Sequence, residues 1–464
     1  MNLPIAFRTN ESKYSFSGSP RLINAYAEQT DKDAKAPLSV MPCAGMKLFA
    51  TVSGSPCRGT IFLEDADCAY SVHSSGVFKV TYDGSTATVL RVGVIPGTDV
   101  VQLSRNQAAE HQISVHCEAG EYYIEADSVK IVSDVDLPTP VVTMDHVGGY
   151  TAYGLEDRRF FLSSINDCAT IDGTDFATAE QSPGPLIRIK ANKGDLFLFK
   201  SDLIEQWRNT GNADFPFEPM ATIQRGLKAP NAVAAFDNTL AWPGNDAIVY
   251  VMAGTQGQRI SNHGIERLIE SETSQEAMLG FAHTLEGHQF YTLTGTDWTR
   301  CYDAATQFWH SRESYRIDRW RGRFPFRAWG KVIVGDELTG NLYELDKDTF
   351  EEGDDPLLWG VDFPIMHAFP NGAIVDALHL DVATGNGLLG ESAPKLMLSW
   401  SVDGGATFKG NRELSIGGRG DRVRVTTRRL GRFGPKGIQF RIRVSDPVIR
   451  CLVAADVEVR PIKK

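Results

Sequence analysis

Arginine side chains gather in two stretches of the sequence, where they could bind anionic groups. The first stretch holds Arg316, Arg319, Arg321 and Arg323, interleaved with aromatic residues. The second holds Arg419, Arg422, Arg424, Arg428, Arg429, Arg432, Arg441 and Arg443. A guanidinium group binds phosphate or carboxylate through a planar fork and stacks on rings, so both stretches suit protein interfaces and nucleic-acid backbones. Because the rest of the chain is strongly acidic, we favour an interface over direct DNA contact.

A turn motif precedes the second stretch and consists of Ser401, Asp403, Gly405, Thr407 and Phe408. It resembles the Asp-box hairpin, S-x-D-x-G-x-T-W/F, of sialidase-like propellers. The carboxylate and hydroxyl groups can cap hairpin amides, and glycine permits a positive φ. Sialidases carry several such boxes with an arginine triad and a tyrosine nucleophile. Since this chain has one box and no triad that we can assign, we interpret the motif as structural.

No pattern in the sequence predicts catalysis, a cofactor or a metal. The chain lacks the G-x-S-x-G, H-E-x-x-H and phosphate-loop signatures and has no dinucleotide-binding glycine fingerprint. His111, His116 and Cys117 come closest to a ligand cluster, but an alternating stretch there favours a structural placement. The 7 cysteines include no C-x-x-C pair, so we expect reduced thiols. No run of eighteen apolar residues predicts membrane insertion.

Short strands dominate the elements that must position these residues. Alternating or β-branched runs such as 76–82, 186–190, 195–200 and 247–252 are bounded by turn residues. A capping box at 273–276 predicts one short helix. The sequence therefore predicts an all-β protein.

A loose repeat places an aromatic strand ahead of a turn that begins with aspartate. Tyr82-Asp83, Tyr302-Asp303 and Leu345-Asp346 are examples, and the last two aspartates are 43 residues apart. This spacing is typical of one four-stranded propeller blade, and radial repetition protects the edges of many short strands. We predict a β-propeller of about six or seven blades.

The pattern changes near residue 370, where regular alternating strands begin. We predict a propeller body over residues 1–370 and an accessory β-sandwich-like domain over residues 371–464. Residues 395–464 contain 16 Lys and Arg against 6 Asp and Glu, a net charge of +10, while residues 1–394 carry 31 against 52, or −21. A basic tail on an acidic body directs partners to one end of the molecule, and one such partner is the acidic body of a neighbouring copy. Arg441 and Arg443 alternate with apolar residues, which predicts a half-buried strand with a basic outer surface.

Several stretches together resemble the packaged DNA stabilisation, or tail hub and nozzle, proteins of short-tailed double-stranded DNA bacteriophages. They are, in order, NAYAE at 24–28, MPCAG at 41–45, FFLSSIND at 160–167, DFATAE at 175–180, IEQWRNTG at 204–211, GLKAP at 226–230, HQFYTL at 288–293, YDAATQFW at 302–309 and RLGRF at 429–433. The resemblance covers most of the chain, and its specificity comes from the order and spacing of the stretches.

The resemblance implies a structural virion protein of the tail, made in the host cytoplasm and without enzymatic activity. It implies a ring, hexameric in our expectation, that lies below the portal and adaptor and closes the channel after packaging. The expected partners are other copies of the chain, the portal–adaptor complex, a fibre, spike or plug protein, and double-stranded DNA in the lumen. An acidic lumen would let DNA slide, because it repels phosphate. The alternative is a sialidase-like glycan hydrolase or glycan-binding propeller, motivated by the Asp-box motif.

Overall fold

The computed structural model describes residues 2–14, 18–31, 33–387 and 393–462. These residues form forty β-strands and one α-helix, in agreement with the predicted all-β class. Strands begin close to the N-terminus, with β1 (Arg21–Ile23), β2 (Ala25–Gln29), β3 (Leu38–Pro42) and β4 (Gly45–Ala50). The last residues of the predicted C-terminal domain, Lys463 and Lys464, lie outside the described ranges.

Seven antiparallel blades follow in chain order within the described residues, which confirms the predicted propeller. Blade 1 consists of β5 (Cys57–Leu63), β6 (Cys68–His73), β7 (Gly76–Tyr82) and β8 (Ala87–Val94). Blade 2 consists of β9 (Gln102–Arg105), β10 (Ile113–Cys117), β11 (Gly120–Glu125) and β12 (Ser128–Ile131). Blade 3 consists of β13 (Val141–Val147), β14 (Tyr150–Leu155), β15 (Arg159–Ser164) and β16 (Asp167–Thr178). Blades 4 and 5 are β17 (Leu186–Asn192), β18 (Asp195–Lys200), β19 (Ile204–Asn209) and β20 (Phe217–Ile223); and β21 (Ala234–Phe236), β22 (Thr239–Pro243), β23 (Val249–Ala253) and β24 (Gln256–Arg259). After helix α1 (His263–Ser271), blade 6 is β25 (Leu279–Leu285), β26 (His288–Thr294), β27 (Thr299–Asp303) and β28 (Trp309–Ser311). Blade 7 combines β29 (Gly322–Ala328), β30 (Lys331–Asp336) and β31 (Leu342–Asp346) with β4.

The aspartate repeat marks equivalent turns in three blades. Asp303 and Asp346 each end the third strand of a blade, and Asp83 follows the third strand of blade 1. Each carboxylate accepts backbone N–H bonds from the next turn, at 3.0 Å from Ala305 and 3.0 Å from Asp348 in the first two cases. The repeat therefore records an Asx turn at the end of the third strand of a blade.

The N-terminal segment closes the ring. Strand β4 pairs antiparallel with β31, with Met46 opposite Leu345, and so supplies the fourth strand of blade 7. Blade 7 in turn lies beside blade 1, where β29 packs along β5. Blade 7 thus contains strands from both ends of the propeller sequence, and the hydrogen bonds between these strands hold the ring of blades closed.

The predicted helix at the capping box is wrong. Residues Gln275–Ala277 form a single 3₁₀ turn, and the next residues enter strand β25. The helix begins earlier, where the Asn262 side chain accepts N–H bonds from Gly264 and Ile265. Its apolar side is buried against blades 5 and 6, so tertiary packing and the asparagine cap determine its position.

The remaining strands are β32 (Glu351–Glu352), β33 (Asp355–Pro356), β34 (Trp359–Asp362), β35 (Ala373–Val382), β36 (Lys395–Ser401), β37 (Lys409–Ser415), β38 (Val425–Phe433), β39 (Gln439–Val444) and β40 (Leu452–Pro461). β32 and β33 extend the blade 7 sheet beyond β4, and the other strands form a β-sandwich with the N-terminal strands. One sheet has the order β2-β3-β40-β35-β38, and the other extends blade 6 as β28-β1-β34-β39-β36-β37. Thus the sandwich shares a continuous sheet with the propeller.

The sandwich core brings together residues from both ends of the chain. Leu22 packs with Trp359, Val375, Phe440 and others in one buried cluster. Strands on both sides of residue 370 therefore contribute to the sandwich sheets. The division of the chain into 1–370 and 371–464 stays a proposal.

Candidate assembly surface

Exposed arginines of the sandwich lie along one of its edges. Three lie on β38, the outermost strand of its sheet, and three lie in the loop before it. We call these residues the basic edge: Arg419, Arg422, Arg424, Arg428, Arg429 and Arg432. No ion pair joins any of the six to another residue of the described ranges. Unpaired guanidinium groups on an open strand can bind carboxylates or phosphates.

A β-bulge and a further arginine hold the basic edge in place. The register shifts within β38, with Arg429 at φ 59° and Gly431 at φ 94°, so Arg428 and Arg429 both face solvent. Arg412 on β37 donates to the carbonyl groups of these two residues at 2.6 and 3.0 Å. Its guanidinium also lies 5.2 Å from the centre of the Trp400 ring. The edge strands of the two sheets are thus tied together beneath the basic edge.

Arg441 and Arg443 do not belong to this edge, which corrects the predicted basic outer surface of their strand. Strand β39 pairs with β34, and this places both side chains against Asp362. Arg441 Nε lies 3.0 Å and Arg443 Nη2 lies 2.6 Å from Asp362 Oδ1. Burial lowers the pKa of Arg443, and the nearby carboxylate opposes this shift. The two arginines do share a face of β39, but Asp362 of the paired strand β34 binds both of them.

We predict that Asp362→Ala destabilises the sandwich by about 3 kcal/mol, since it leaves a buried guanidinium without its carboxylate. Asp362 is 5% exposed, and the Arg443 side chain is 14% exposed. Chemical denaturation checks the cost. The control is Glu413→Gln, which breaks an exposed ion pair with Lys395 and should have a much smaller effect on stability. Equal effects from the two variants would contradict the structural role of Asp362.

The arginines of the first stretch mostly serve blade 7 itself. Arg321 is buried and forms a two-pronged ion pair with Asp336, with both N–O distances at 2.7 Å. Arg319 and Arg323 share Glu337, at 2.6 and 2.8 Å. Exposed Arg316 lies over the ring of its neighbour Tyr315, which also is exposed. Three of the four predicted candidates are therefore directed at carboxylates of their own blade.

The Asp-box motif forms a closed network of hydrogen bonds between β36 and β37. The hydroxyl group of Ser401 donates to Asp403 at 2.6 Å, and the backbone N–H of Thr407 donates at 3.0 Å. These bonds lower the pKa of Asp403. The amide of Gly405, at φ 85°, donates to Ser401 Oγ at 2.9 Å. The Phe408 ring packs under the guanidinium of Arg441. A carboxylate engaged in this way is a turn element rather than an acid or base.

An acidic edge on blade 3 is a feature that the sequence reasoning missed. We define the acidic edge as Asp136, Asp172 and Asp175; the last two lie on β16, the outermost strand of the blade. A Cβ atom added at Gly173 would lie 3.2 Å from Asp136 Oδ1, so Asp136 packs directly on this strand. Burial and the charge of Asp172 raise the pKa of Asp175. Asp172 and Asp175 give a sequence signal, a D-x-x-D spacing on a polar strand. Asp136 gives no such signal, since only the fold brings it to this strand.

The propeller meets the sandwich at a cavity of about 210 Å³. Two buried histidines, His283 and His310, line it together with the thiols of Cys43 and Cys301. Burial lowers the pKa of each histidine to about 3 and raises the pKa values of Cys43 and Cys301 to about 12 and 11. All of these groups are therefore uncharged at neutral pH.

Other chemical groups of the described residues form no metal site and no membrane-spanning helix. Among the described residues, no cluster of three or more His, Cys, Asp or Glu has the arrangement of a metal site. His116 instead contacts Glu121 at 2.7 Å, and His111 contacts Asp65 at 2.5 Å. None of the helices in the described ranges has the length and apolar character needed to span a membrane.

Comparison with known proteins relates both parts of the fold to one family. Residues 8–350 match the family model described as Bacteriophage P22 Gp10, beta-propeller, and residues 359–460 match the model described as Bacteriophage P22 Gp10, beta-sandwich. The chain belongs to the bacteriophage P22 Gp10 family. The resemblance and the fold class predicted from the sequence are thereby confirmed.

Individual relatives of this Gp10-family chain are distant. The tail hub protein gp10 of Salmonella phage P22 is 25% identical over 417 residues, which cover 81% of this chain and 83% of that protein. Solved structures with a similar fold include the WD40 beta propeller domain of Doa1, with a TM-score of 0.43 and 11% identity over 65% of this chain and 96% of that one. The computationally designed Ika8 protein has a TM-score of 0.40 and 12% identity over 71% of this chain and 96% of its own.

Proposed function

We propose that this protein is a structural component of a bacteriophage tail hub. The observation that carries the proposal is the ordered match of the propeller and the sandwich to the two Gp10 models over residues 8–350 and 359–460. The similarity to the tail hub protein of phage P22 over most of both chains supports the same role. The protein is then a component of the virion tail that contacts other tail components.

In finer detail, we propose a hexameric ring below the portal–adaptor complex that bears a fibre, spike or plug protein at its far end. The ring closes the channel and retains packaged double-stranded DNA, and the chain is made in the host cytoplasm. The net charge of −21 over residues 1–394 supports a lumen along which DNA slides without binding. In this role the protein binds and seals rather than catalyses a reaction.

A glycan hydrolase of the sialidase type is not favoured. Its main support was the Asp-box motif, and Asp403 there accepts hydrogen bonds from Ser401 and Thr407 within its own hairpin. The family match leads to a tail protein instead. Turnover of a sialyl or glycosyl substrate that one acidic substitution abolishes would overturn the proposed structural role.

Particles assembled without this protein test the proposed function. A stop codon early in its gene should yield capsids that package DNA and then lose it, because the channel stays open. Supplying the intact protein in trans should restore both tail completion and DNA retention. Complete tails and stable DNA in the absence of the protein would contradict the proposal.

We further predict that the isolated protein is a monomer or a weak oligomer that forms a ring only on its adaptor. Polar contacts between an acidic body and a basic tail depend on salt, since the Debye length falls to a few ångströms near molar salt. Sedimentation velocity at micromolar concentration measures this directly. A stable ring in half-molar salt without adaptor would contradict assembly through charge.

A further inference from the structure

The basic edge and the acidic edge lie at opposite ends of the molecule. The sandwich joins the propeller at blade 6, through their shared sheet, and at blade 7, through the β3 and β4 segment. In the ring of blades that the described residues form, blade 3 is three positions from blade 6 and three from blade 7. The acidic edge on blade 3 is therefore as far from the sandwich as the propeller allows.

Neither edge is neutralised by the residues that the structure describes. Asp136, Asp172 and Asp175 make no ion pair with any other residue in the part of the chain that the structure describes, just as the six arginines make none. By contrast, Arg159 and Asp157 on the same blade as the acidic edge form an ion pair at 2.7 Å. Two unpaired surfaces of opposite sign thus remain, one at each end.

We propose that the basic edge of one copy binds the acidic edge of blade 3 in a second copy of this chain. This contact rests on the proposed function, in which copies of the chain form a ring. The two edges would be the surfaces that join neighbouring subunits of that ring. It is heterologous, because each copy uses two different surfaces, and such contacts close into rings when the rotation between copies allows it. The partner is therefore another copy, held by guanidinium–carboxylate pairs between outer strands.

Side chains around the acidic edge suit this partner. Phe176 follows Asp175 on β16, is 42% exposed, and stacks on Phe161 with ring centres 5.1 Å apart. An arginine that approaches the carboxylates can also stack on this ring, and arginine and aromatic residues are enriched at protein interfaces. A DNA backbone would be repelled by these carboxylates, so DNA could engage the basic edge only.

Charge reversal in the full chain tests the pairing in assembled particles. The arginine variant is Arg428→Glu/Arg432→Glu, the aspartate variant is Asp172→Arg/Asp175→Arg, and the combined variant carries all four changes. Each of the first two should fail to complete tails and should weaken association between copies about tenfold or more, as close interfacial charge pairs do. The combined variant should recover tail completion, since the two substituted positions on each edge again present charges of opposite sign to each other. Association is followed by sedimentation at about 0.01 M salt, where the Debye length is about 30 Å.

Matched controls separate a specific pairing from a general effect of charge. Lys409→Glu on β37 and Glu218→Lys on β20 reverse exposed, unpaired charges on neighbouring outer strands and should leave assembly unchanged. Unchanged melting temperatures for all variants would show that the fold is intact. If a reversal variant does not fold, the milder Arg432→Gln and Asp175→Asn variants replace it.

The outcomes distinguish this contact from the proposed function. A combined variant no better than its parents would overturn the pairing. Normal tail completion with altered DNA retention in the arginine variant alone would assign the basic edge to DNA. Normal behaviour of every variant, with the stop codon still preventing tail completion, would reject the interface and leave the tail hub function in place.

Discussion

Lowering the pH from 7 to 5 should reduce the free energy of unfolding of this protein by several kcal/mol. His283 and His310 are buried and have pKa values of about 3, whereas an unfolded histidine has a pKa near 6.5. Stability from a histidine with a lowered pKa is present above the unfolded value and is lost as the pH falls toward the folded value. At pH 5 each of the two should cost about 2 kcal/mol.

Other histidines change the size of this effect. His73 and His146 have pKa values lowered by burial to about 4, so they act in the same direction. His288 acts in the opposite direction, because its hydrogen bond to Asp303 at 2.8 Å raises its pKa. Around His310, the charge of Arg312 opposes protonation and the charge of Asp303 favours it. Burial has a larger effect on the pKa of His310 than either charge.

Denaturation curves between pH 7 and 5 measure the loss of stability, and proton uptake on unfolding supplies an independent check. Wild-type protein should take up about two or more protons on unfolding near pH 5.5. The His283→Phe/His310→Phe variant should lose about half of this dependence on pH, since His73 and His146 keep their lowered pKa values. A flat stability profile with no proton uptake in the wild-type protein would contradict the burial of these groups.

Arg321→Ala should destabilise the propeller by about 3–5 kcal/mol, the second large effect that we expect. The substitution leaves Asp336, which is fully buried, without the guanidinium that contacts both of its oxygens. Although burial opposes ionisation, hydrogen bonds from Arg321 and Thr339 lower the pKa of Asp336. Arg321 also reaches Asp355 at 2.9 Å, so the same change removes an ion pair between blade 7 and β33.

Arg316→Ala is the matched control, because Arg316 lies five residues earlier in the same stretch and is exposed. It should change stability by less than about 0.5 kcal/mol. Denaturant midpoints for the two variants under one set of conditions give the comparison. If Arg316→Ala proved as costly as Arg321→Ala, the assignment of the buried ion pair to blade stability would be wrong.

The propeller could be predicted from the sequence because its local turns carry their own signals. Asp303 and Asp346 hold the same position in successive blades, and each caps a turn through its carboxylate. Likewise, Lys193 and Gly194 both have positive φ between two paired strands, as type I′ hairpins require. Such signals depend on residues that are neighbours in the chain.

Features that depend on distant parts of the chain could not be predicted in this way. Strand β4 completes blade 7 although it lies almost three hundred residues before β31 in the sequence. No local sequence pattern predicts the pairing of these two strands. Asp362 covers Arg441 and Arg443 only because β34 pairs with β39. The alternation of the strand showed that these arginines share a face, but the identity of the neighbour on that face comes from the fold.

The helix shows the limit of a local rule. The residues at 273–276 satisfy the capping-box pattern, yet Ser274, at the start of the short turn, makes no side-chain cap bond. Asn262 caps the actual helix. Ile265 and Ile269, one turn apart, are buried on its inner side. A strand that must enter blade 6 at Leu279 leaves no room for a helix after the capping box.

Electron cryomicroscopy of the tail in intact particles is the decisive test of the tail hub function. We expect density for several copies of this chain arranged as a ring around the DNA channel, each with a propeller and a sandwich. It also predicts that particles lacking the chain have an open channel at that position. Complete, DNA-retaining tails without density for this fold would contradict the tail hub function.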